Sequence, residues 1–297
     1  MVKQVIIDKG IPFLDGVFPP EIDVRYLSPE QITPEAVRDA DALFVRTRTK
    51  VDKDLLQGSN IRFVATATIG FDHIDQDYCR EAGIHWVSCP GCNAQAVCDY
   101  VEEAIDSLKG SKDNLTIGIV GYGNVGKLVA QMAQQRGYKV LISDPPLGIG
   151  MSLQELAPQC DVLTFHTPLT RDGEHPTYHL YNADILRLCQ PNILIINAAR
   201  GGVIDEQALL SQLNSLPFRE GVGVGLAIDC WEGEPQLNQE LLKKVDIASF
   251  HIAGYSIQGK MNASEMCLKA FCEFFSLPIL SINKKAVPLQ GLSLIHI

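Results

Sequence analysis

The stretch "LTIGIVGYGNVGKLVAQMAQQRGYKVLISDPP" constrains the fold more than any other part of the chain. An apolar run at residues 115–120 leads directly into Gly121, Gly123 and Gly126, spaced G-x-G-x-x-G, and a helical pattern follows. The first glycine permits a tight turn, and the second lets the backbone approach a pyrophosphate. The third allows close packing of helix on strand. The pyrophosphate then sits on the helix N-terminus, where free N–H groups and the dipole favour an anion. The next apolar run ends at Asp144, 18 residues beyond Gly126. An acid there accepts hydrogen bonds from both hydroxyls of an adenosine ribose and repels a 2′-phosphate, which favours NAD over NADP. The expected cofactor contacts in this stretch are Gly121, Gly123, Asn124, Val125, Gly126 and Asp144.

Alternation of strand and helix patterns extends over most of the chain. "QVIIDK", "DALFVRT", "IRFVATAT" and "IHWVSC" read as strands, with helical stretches between them that end near Gly58 and Gly83. A longer amphipathic helix spans residues 94–108, with Val97, Tyr100, Val101, Ala104, Ile105 and Leu108 on one face. After the polar "KGSKDN" a second alternation begins: "LTIGIV", "YKVLISD", "DVLTFHT", "NILIINA", "GLAIDC" and "DIASF". The pattern predicts an α/β protein of two doubly wound parallel-sheet domains. Residues 1–93 with about 255–280 form one, and the cofactor-binding Rossmann domain occupies residues 94–254. A ligand site is expected in the cleft between them.

Composition narrows the function classes. The chain has 297 residues, enough for two ordinary domains, and a formal charge of −10. That acidity argues against general binding to nucleic acid or to anionic membranes. Nine cysteines, an odd number without a regular framework, suit reduced thiols in the cytoplasm. The single C-x-x-C, Cys89 to Cys92, reads as a Pro-Gly turn, so no metal is expected. The N-terminus has no signal-peptide pattern, and no apolar run approaches the ~18 residues needed to span a bilayer.

Three segments follow strands of the second alternation, where open α/β sheets bind ligands. "NAARGG" carries Arg200, whose planar fork suits a carboxylate. "DCWEGEP" carries Asp229, Glu232 and Glu234, and "SFHIAGYSIQGK" carries His251. Arginine, acid and histidine, in that order after a dinucleotide fingerprint, supply the parts for oxidising an alcohol next to a carboxylate. The histidine takes the hydroxyl proton, the acid orients the ring, and the arginine holds the carboxylate.

The order GYGNVG, Asp144, "HTPL", "NAARGG", "WEGEP" and "HIAGY" resembles the D-isomer-specific 2-hydroxyacid dehydrogenases over nearly the whole chain. "VRTRTKV", "TATIGFDHID", "PGCNAQAV", "FHTPLTRDG" and "HIAGYSIQGK" point to the branch that oxidises a phosphorylated four-carbon hydroxy acid in pyridoxal phosphate synthesis. The resemblance implies that Arg200 and Glu234 are active-site residues and His251 the acid/base. It implies that Thr167, Ala198, Ala199, Arg200, Asp229 and Gly254 join the cofactor contacts, and that Thr47, Thr68 and Tyr255 meet substrate. Arg46 or Arg48 is expected near the phosphate from charge alone. The resemblance also implies a homodimer built on a further C-terminal domain, before which this chain stops. Its apolar ending, "VPLQGLSLIHI", reads as a shortened or non-native tail. Other readings are a related dehydrogenase, for example one acting on phosphoglycerate, and a non-catalytic NAD-binding regulator.

Overall fold

The computed structural model describes residues 2–110, 112, 114–215 and 223–284, so the apolar tail lies outside the described residues. The chain divides into two compact units. One comprises the described residues up to Asn93 and from Tyr255 onward, the other Ala94–Gly254.

The first unit holds a five-stranded, wholly parallel sheet. Its strands are β1 (Gln4–Asp8), β2 (Asp23–Leu27), β3 (Ala42–Val45), β4 (Phe63–Thr66) and β5 (His85–Val87), in the order β2-β1-β3-β4-β5. This is the flavodoxin-like doubly wound order. Strands buried on both faces must be apolar throughout, and β1, β3 and β4 are almost wholly buried. Alternate residues feed opposite cores. Val5, Ile7, Phe44 and Phe63 pack with the long helix α10 (Ile257–Phe275). Ile6, Leu43, Val45 and Val64 pack with the short helices α1 (Pro34–Val37), α2 (Lys53–Leu56) and α3 (Gln76–Glu81). The side chains of Thr33, Asp52 and Asp75 cap the N-termini of those three helices by accepting first-turn backbone N–H groups. Strand β2 is absent from the sequence reading. Its DVRYL has no buried residue, because it is an edge strand paired only to β1.

Phe271 of α10 is fully buried. Its ring centroid lies 5.5 Å from Phe18, 5.6 Å from Phe44, 6.0 Å from Phe63 and 5.0 Å from Phe275. The pair Cys89 and Cys92 closes a turn, as read from the sequence, with Cys92 N–H donating to Cys89 O at 3.2 Å.

The second unit opens with α4 (Ala94–Lys109) and holds a seven-stranded sheet. Its strands are β6 (Thr116–Val120), β7 (Lys139–Asp144), β8 (Ile149–Gly150), β9 (Val162–Phe165), β10 (Leu194–Asn197), β11 (Gly225–Ile228) and β12 (Ile247–Ala248). The order is β12-β11-β10-β9-β6-β7-β8. The chain therefore reverses direction across the sheet between β6 and β9, which is the position of a dinucleotide crevice. All pairs are parallel except β7 with the two-residue β8, which the sequence reading also lacks. One face packs on α4 and α5 (Asn124–Gln135) through Ile117, Ile119, Val162, Leu194 and Ile196. The other packs, through Leu163, Phe165, Ile195 and Ile228, on a layer that includes α6 (Leu153–Leu156), α7 (Ala183–Leu188), α8 (Glu206–Ser215) and α9 (Gln239–Leu242). Among the described residues no helix is long and apolar enough to cross a membrane.

Because Phe271 joins helix to sheet with no space around it, Phe271→Ala is expected to destabilise the protein by about 3–5 kcal/mol. Urea unfolding measures it, and a loss under about 1 kcal/mol would show that the ring cluster does not hold the unit together.

Candidate active site

The glycine loop behaves as its spacing predicts, for reasons visible atom by atom. Gly121 has φ +92°, and a Cβ there would lie 2.7 Å from the His166 carbonyl oxygen. A Cβ on Gly126 would lie 2.0 Å from the Gly121 carbonyl oxygen, so α5 could not approach β6 with any side chain present. Gly123 faces open space and forms the N-cap of α5 without a side-chain cap, leaving the first N–H groups of the helix for a ligand.

Asp144 ends β7 beside this loop. Its Oδ2 accepts the Tyr122 N–H at 2.6 Å and its Oδ1 the Leu147 N–H at 3.2 Å, which ties the glycine turn to the next strand. Each oxygen keeps a further lone pair for a ribose hydroxyl.

A cavity of about 420 Å³ is lined by Gly121, Gly123, Asp144, Pro146, His166 and Thr167 among others. Two buried polar atoms on its wall, His166 Nδ1 and Thr167 Oγ1, have no partner. Buried polar groups are ordinarily satisfied, so these two atoms have hydrogen-bonding capacity to offer a ligand. His166 Nε2 is taken by Thr164 Oγ1 at 2.9 Å, and burial pushes the ring's pKa down to about 3. A neutral ring, an unsatisfied hydroxyl, a glycine cradle and an acid at the end of β7 together fit an adenine dinucleotide. His166 is absent from the expected contacts, since only the fold reveals its missing partner.

A second group of residues follows β10, β11 and β12 of the same sheet. Asn197, at the end of β10 and almost fully buried, shapes the loop that carries Ala198, Ala199 and Arg200. Its Nδ2 donates to the Arg200 and Cys230 carbonyls at 3.1 and 3.0 Å, and its Oδ1 accepts the Ala199 N–H at 3.2 Å. Gly201 is pressed against the next loop, where a Cβ would lie 1.9 Å from the Trp231 carbonyl oxygen. The Arg200 guanidinium donates to its neighbour's carbonyl, Ala199 O, at 2.8 Å and has no carboxylate partner among the described residues.

Asp229 follows β11 and is 1% exposed. Its carboxylate accepts Ser249 Oγ at 2.6 Å and the N–H groups of Ile252 and Ala253 at 2.8 and 2.9 Å. Its own carbonyl accepts the His251 N–H at 2.7 Å. Asp229 therefore builds the turn that carries His251 and leads to Gly254. The turn holds His251 at φ +57°, a left-handed conformation that non-glycine residues avoid unless the surroundings impose it.

Glu234 meets His251 in this group. Glu234 Oε2 lies 2.9 Å from His251 Nδ1, while Oε1 accepts the Trp231 N–H at 2.7 Å. The hydrogen bond to Glu234 raises the His251 pKa above its ordinary value, against the effect of burial. Burial by itself would raise Glu234, but the hydrogen bonds from His251 and Trp231 outweigh it and hold the carboxyl below the usual range. With Nδ1 bonded to the carboxylate, Nε2 is left to exchange a proton with a ligand.

Glu232, in contrast, is occupied behind the loop. It accepts from Tyr178 Oη at 3.0 Å and lies 3.0 Å from His179 Nε2. Its N–H donates to Glu206 Oε1 at 2.6 Å, and burial pushes the Glu206 carboxyl up to about 7. Sequence reading left Glu206, Tyr178, His179 and Asn197 unnoticed, because their work is on the backbone of other loops.

The expected substrate contacts lie in the first unit. Thr47 and Thr68 follow the paired strands β3 and β4. Thr68 Oγ1 donates to Gly70 O at 2.9 Å and lies 2.7 Å from Thr66 Oγ1. Tyr255 precedes α10 and is 54% exposed.

Comparison with known proteins agrees with this geometry. Residues 100–253 match the family described as D-isomer specific 2-hydroxyacid dehydrogenase, NAD binding domain. Erythronate-4-phosphate dehydrogenase of Bacteroides thetaiotaomicron is 45% identical over 285 residues, covering 92% of this chain and 80% of the relative. The enzyme of that name from Escherichia coli is 41% identical over 282 residues, covering 91% and 73%. Among solved structures, an NAD⁺-bound 3-phosphoglycerate dehydrogenase of Entamoeba histolytica superposes with a TM-score of 0.75 at 24% identity, covering 93% of this chain and 96% of its own. At that identity the superposition shows a shared fold. The glycine cradle, the His–Glu pair and these sequence identities together make the chain a member of the D-isomer-specific 2-hydroxyacid dehydrogenase family, alongside the erythronate-4-phosphate dehydrogenases.

Proposed function

We propose that the protein oxidises 4-phospho-D-erythronate to (R)-3-hydroxy-2-oxo-4-phosphooxybutanoate with NAD, in the cytoplasm, as a step toward pyridoxal 5′-phosphate. The observation that carries the reading is the 2.9 Å pair of His251 Nδ1 and Glu234 Oε2 in the unit that also holds the dinucleotide cavity. The names of the relatives supply the substrate.

Bound NAD supplies the hydride acceptor. The chain's own residues handle the proton and the charge. Glu234 accepts the Nδ1–H of His251 and so leaves Nε2 as the base that removes the proton from the C2 hydroxyl. Proton loss leaves an imidazolium, which the Glu234 carboxylate stabilises in place. The Arg200 guanidinium, without an acid partner among the described residues, holds the substrate carboxylate and the oxygen that becomes the carbonyl. His166, Thr167 and the glycine loop hold the cofactor, and Asp144 binds its ribose.

His251→Asn removes the base while preserving the turn, since asparagine tolerates positive φ. It is expected to lower kcat for NAD-linked oxidation of 4-phospho-D-erythronate by about 10²- to 10⁴-fold. NAD affinity, measured by calorimetry, stays within about twofold, because no cofactor contact changes. Wild-type protein that binds NAD but gives no NADH with this substrate and a carbonyl trap would overturn the substrate assignment. NAD binding without turnover on related 2-hydroxy acids would favour a regulator.

Oxidation needs unprotonated His251, so kcat/KM falls as pH drops through the raised His251 pKa. Glu234→Gln removes the partner that raises it. The acid limb of the profile is then expected to move to lower pH as maximal kcat also falls. An unmoved limb would mean that another group controls it.

A further inference from the structure

The first unit contains cations whose state of pairing separates two arginines that the sequence alone leaves equivalent. A phosphomonoester carries roughly −1.5 to −2 charges near neutrality, so its subsite requires cations not already neutralised by the protein. Three basic residues follow β3 in "VRTRTK". Arg48 Nη2 lies 2.5 Å from Glu30 Oε1, and Lys50 Nζ lies 2.7 Å from Asp52 Oδ2. Both are spoken for by carboxylates.

Arg46 differs. Its Nη1 donates to the Gly10 carbonyl at 3.0 Å, and it has no carboxylate partner among the described residues. One bond to a neutral carbonyl fixes the plane of the guanidinium and leaves its remaining N–H donors and its charge available.

Lys260 is the second such cation. It sits in the first turn of α10, and its Nζ lies 3.7 Å from the centroid of the Tyr255 ring, again without a carboxylate partner among the described residues. Hydrogen bonding to Lys260, and then the charges of Lys260 and Arg46, hold the Tyr255 phenol below its ordinary pKa. Both cations therefore act on one phenol, itself 54% exposed. Geometry joins them as well: Arg46 is bonded to Gly10, and two residues on, the Pro12 carbonyl accepts Ser264 Oγ, one turn along α10 from Lys260, at 2.7 Å.

Building on the proposed reaction, we infer that Arg46 and Lys260, gathered at Tyr255, form the subsite that binds the phosphoryl group of the substrate, and that Arg48 takes no part. Lys260 supplies a point charge that shifts along its flexible stem, and Arg46 a fixed fork. The Tyr255 hydroxyl donates to a phosphoryl oxygen while its ring face steadies the ammonium. The subsite selects phosphorylated hydroxy acids over their unphosphorylated counterparts, because an uncharged end leaves two cations unpaired.

The test compares wild type, Arg46→Gln, Lys260→Gln and Arg48→Gln on 4-phospho-D-erythronate and on D-erythronate. Arg46→Gln and Lys260→Gln are each expected to reduce the preference for the phosphorylated substrate by about tenfold or more, chiefly through KM, as loss of one charge-assisted hydrogen bond implies. Arg48→Gln keeps the wild-type preference. Inorganic phosphate, titrated against thermal unfolding without substrate, should raise the Tm of wild type and of Arg48→Gln but not of the other two. An unchanged preference in both Arg46→Gln and Lys260→Gln, or an equal loss in Arg48→Gln, would overturn the subsite while leaving the oxidation reading intact. If wild type oxidises neither compound, the oxidation reading fails. The phosphate titration then decides the subsite alone, and equal shifts in all four proteins overturn it.

Discussion

The buried carboxylate of Asp229 is the constraint on which the catalytic unit is built. A carboxylate taken out of water without partners would cost several kcal/mol, so its position commits the surrounding chain to supplying donors. Those donors are Ser249 Oγ and the N–H groups of Ile252 and Ala253, all from the turn after β12. The turn can satisfy the carboxylate only by folding over the end of β11, and that fold holds His251 in a left-handed conformation. Strain at His251 is thus the local consequence of satisfying Asp229, and it delivers the ring to Glu234. Trp231 locks the arrangement from the other side, with its indole N–H on the Ser249 carbonyl at 2.7 Å.

The same logic recurs in neighbouring loops. Asn197 joins the loop after β10 to the loop after β11 through the Arg200 and Cys230 carbonyls. Glu206, at the start of α8, grips the Glu232 N–H, and Tyr178 and His179 hold the Glu232 side chain. Glu234 is therefore carried on a loop in which Glu232, two residues earlier, is fixed at both backbone and side chain. Around the His251–Glu234 pair, a larger set of residues positions the loops. Preorganisation of this kind lets charges act in the reaction without first having to reorganise. Arg200 shows the other half of the design. Its guanidinium has no acid partner among the described residues, which leaves the charge uncompensated there.

Much of this was legible in the sequence wherever local chemistry decides the outcome. Strands buried on both faces must be apolar runs, which is why the runs ending at Asp8, Val45, Thr66, Val120 and Asn197 could be read directly. The glycine spacing is equally local, since Gly121 and Gly126 are demanded by contacts with the adjoining turn. Arg200, Glu234 and His251 were legible as candidates because each lies on a segment that follows a strand of the second sheet. Strand β2 escaped because an exposed edge strand carries no apolar signature, and β8 because two residues carry no periodicity at all. The choice between Arg46 and Arg48 depends on Glu30 and Gly10, distant in sequence. The unpaired atoms of His166 and Thr167 are visible only once the cavity has walls.

The central claim is that Glu234 holds His251 as a base with Nδ1 protonated and Nε2 free. Long-range ¹H–¹⁵N correlation spectra of histidine-labelled protein, followed across pH and assigned with His251→Asn, measure this directly. The account predicts a neutral His251 in the Nδ1–H form, with a pKa above its ordinary value. A neutral ring in the Nε2–H form, or an ordinary or lowered pKa, would contradict it.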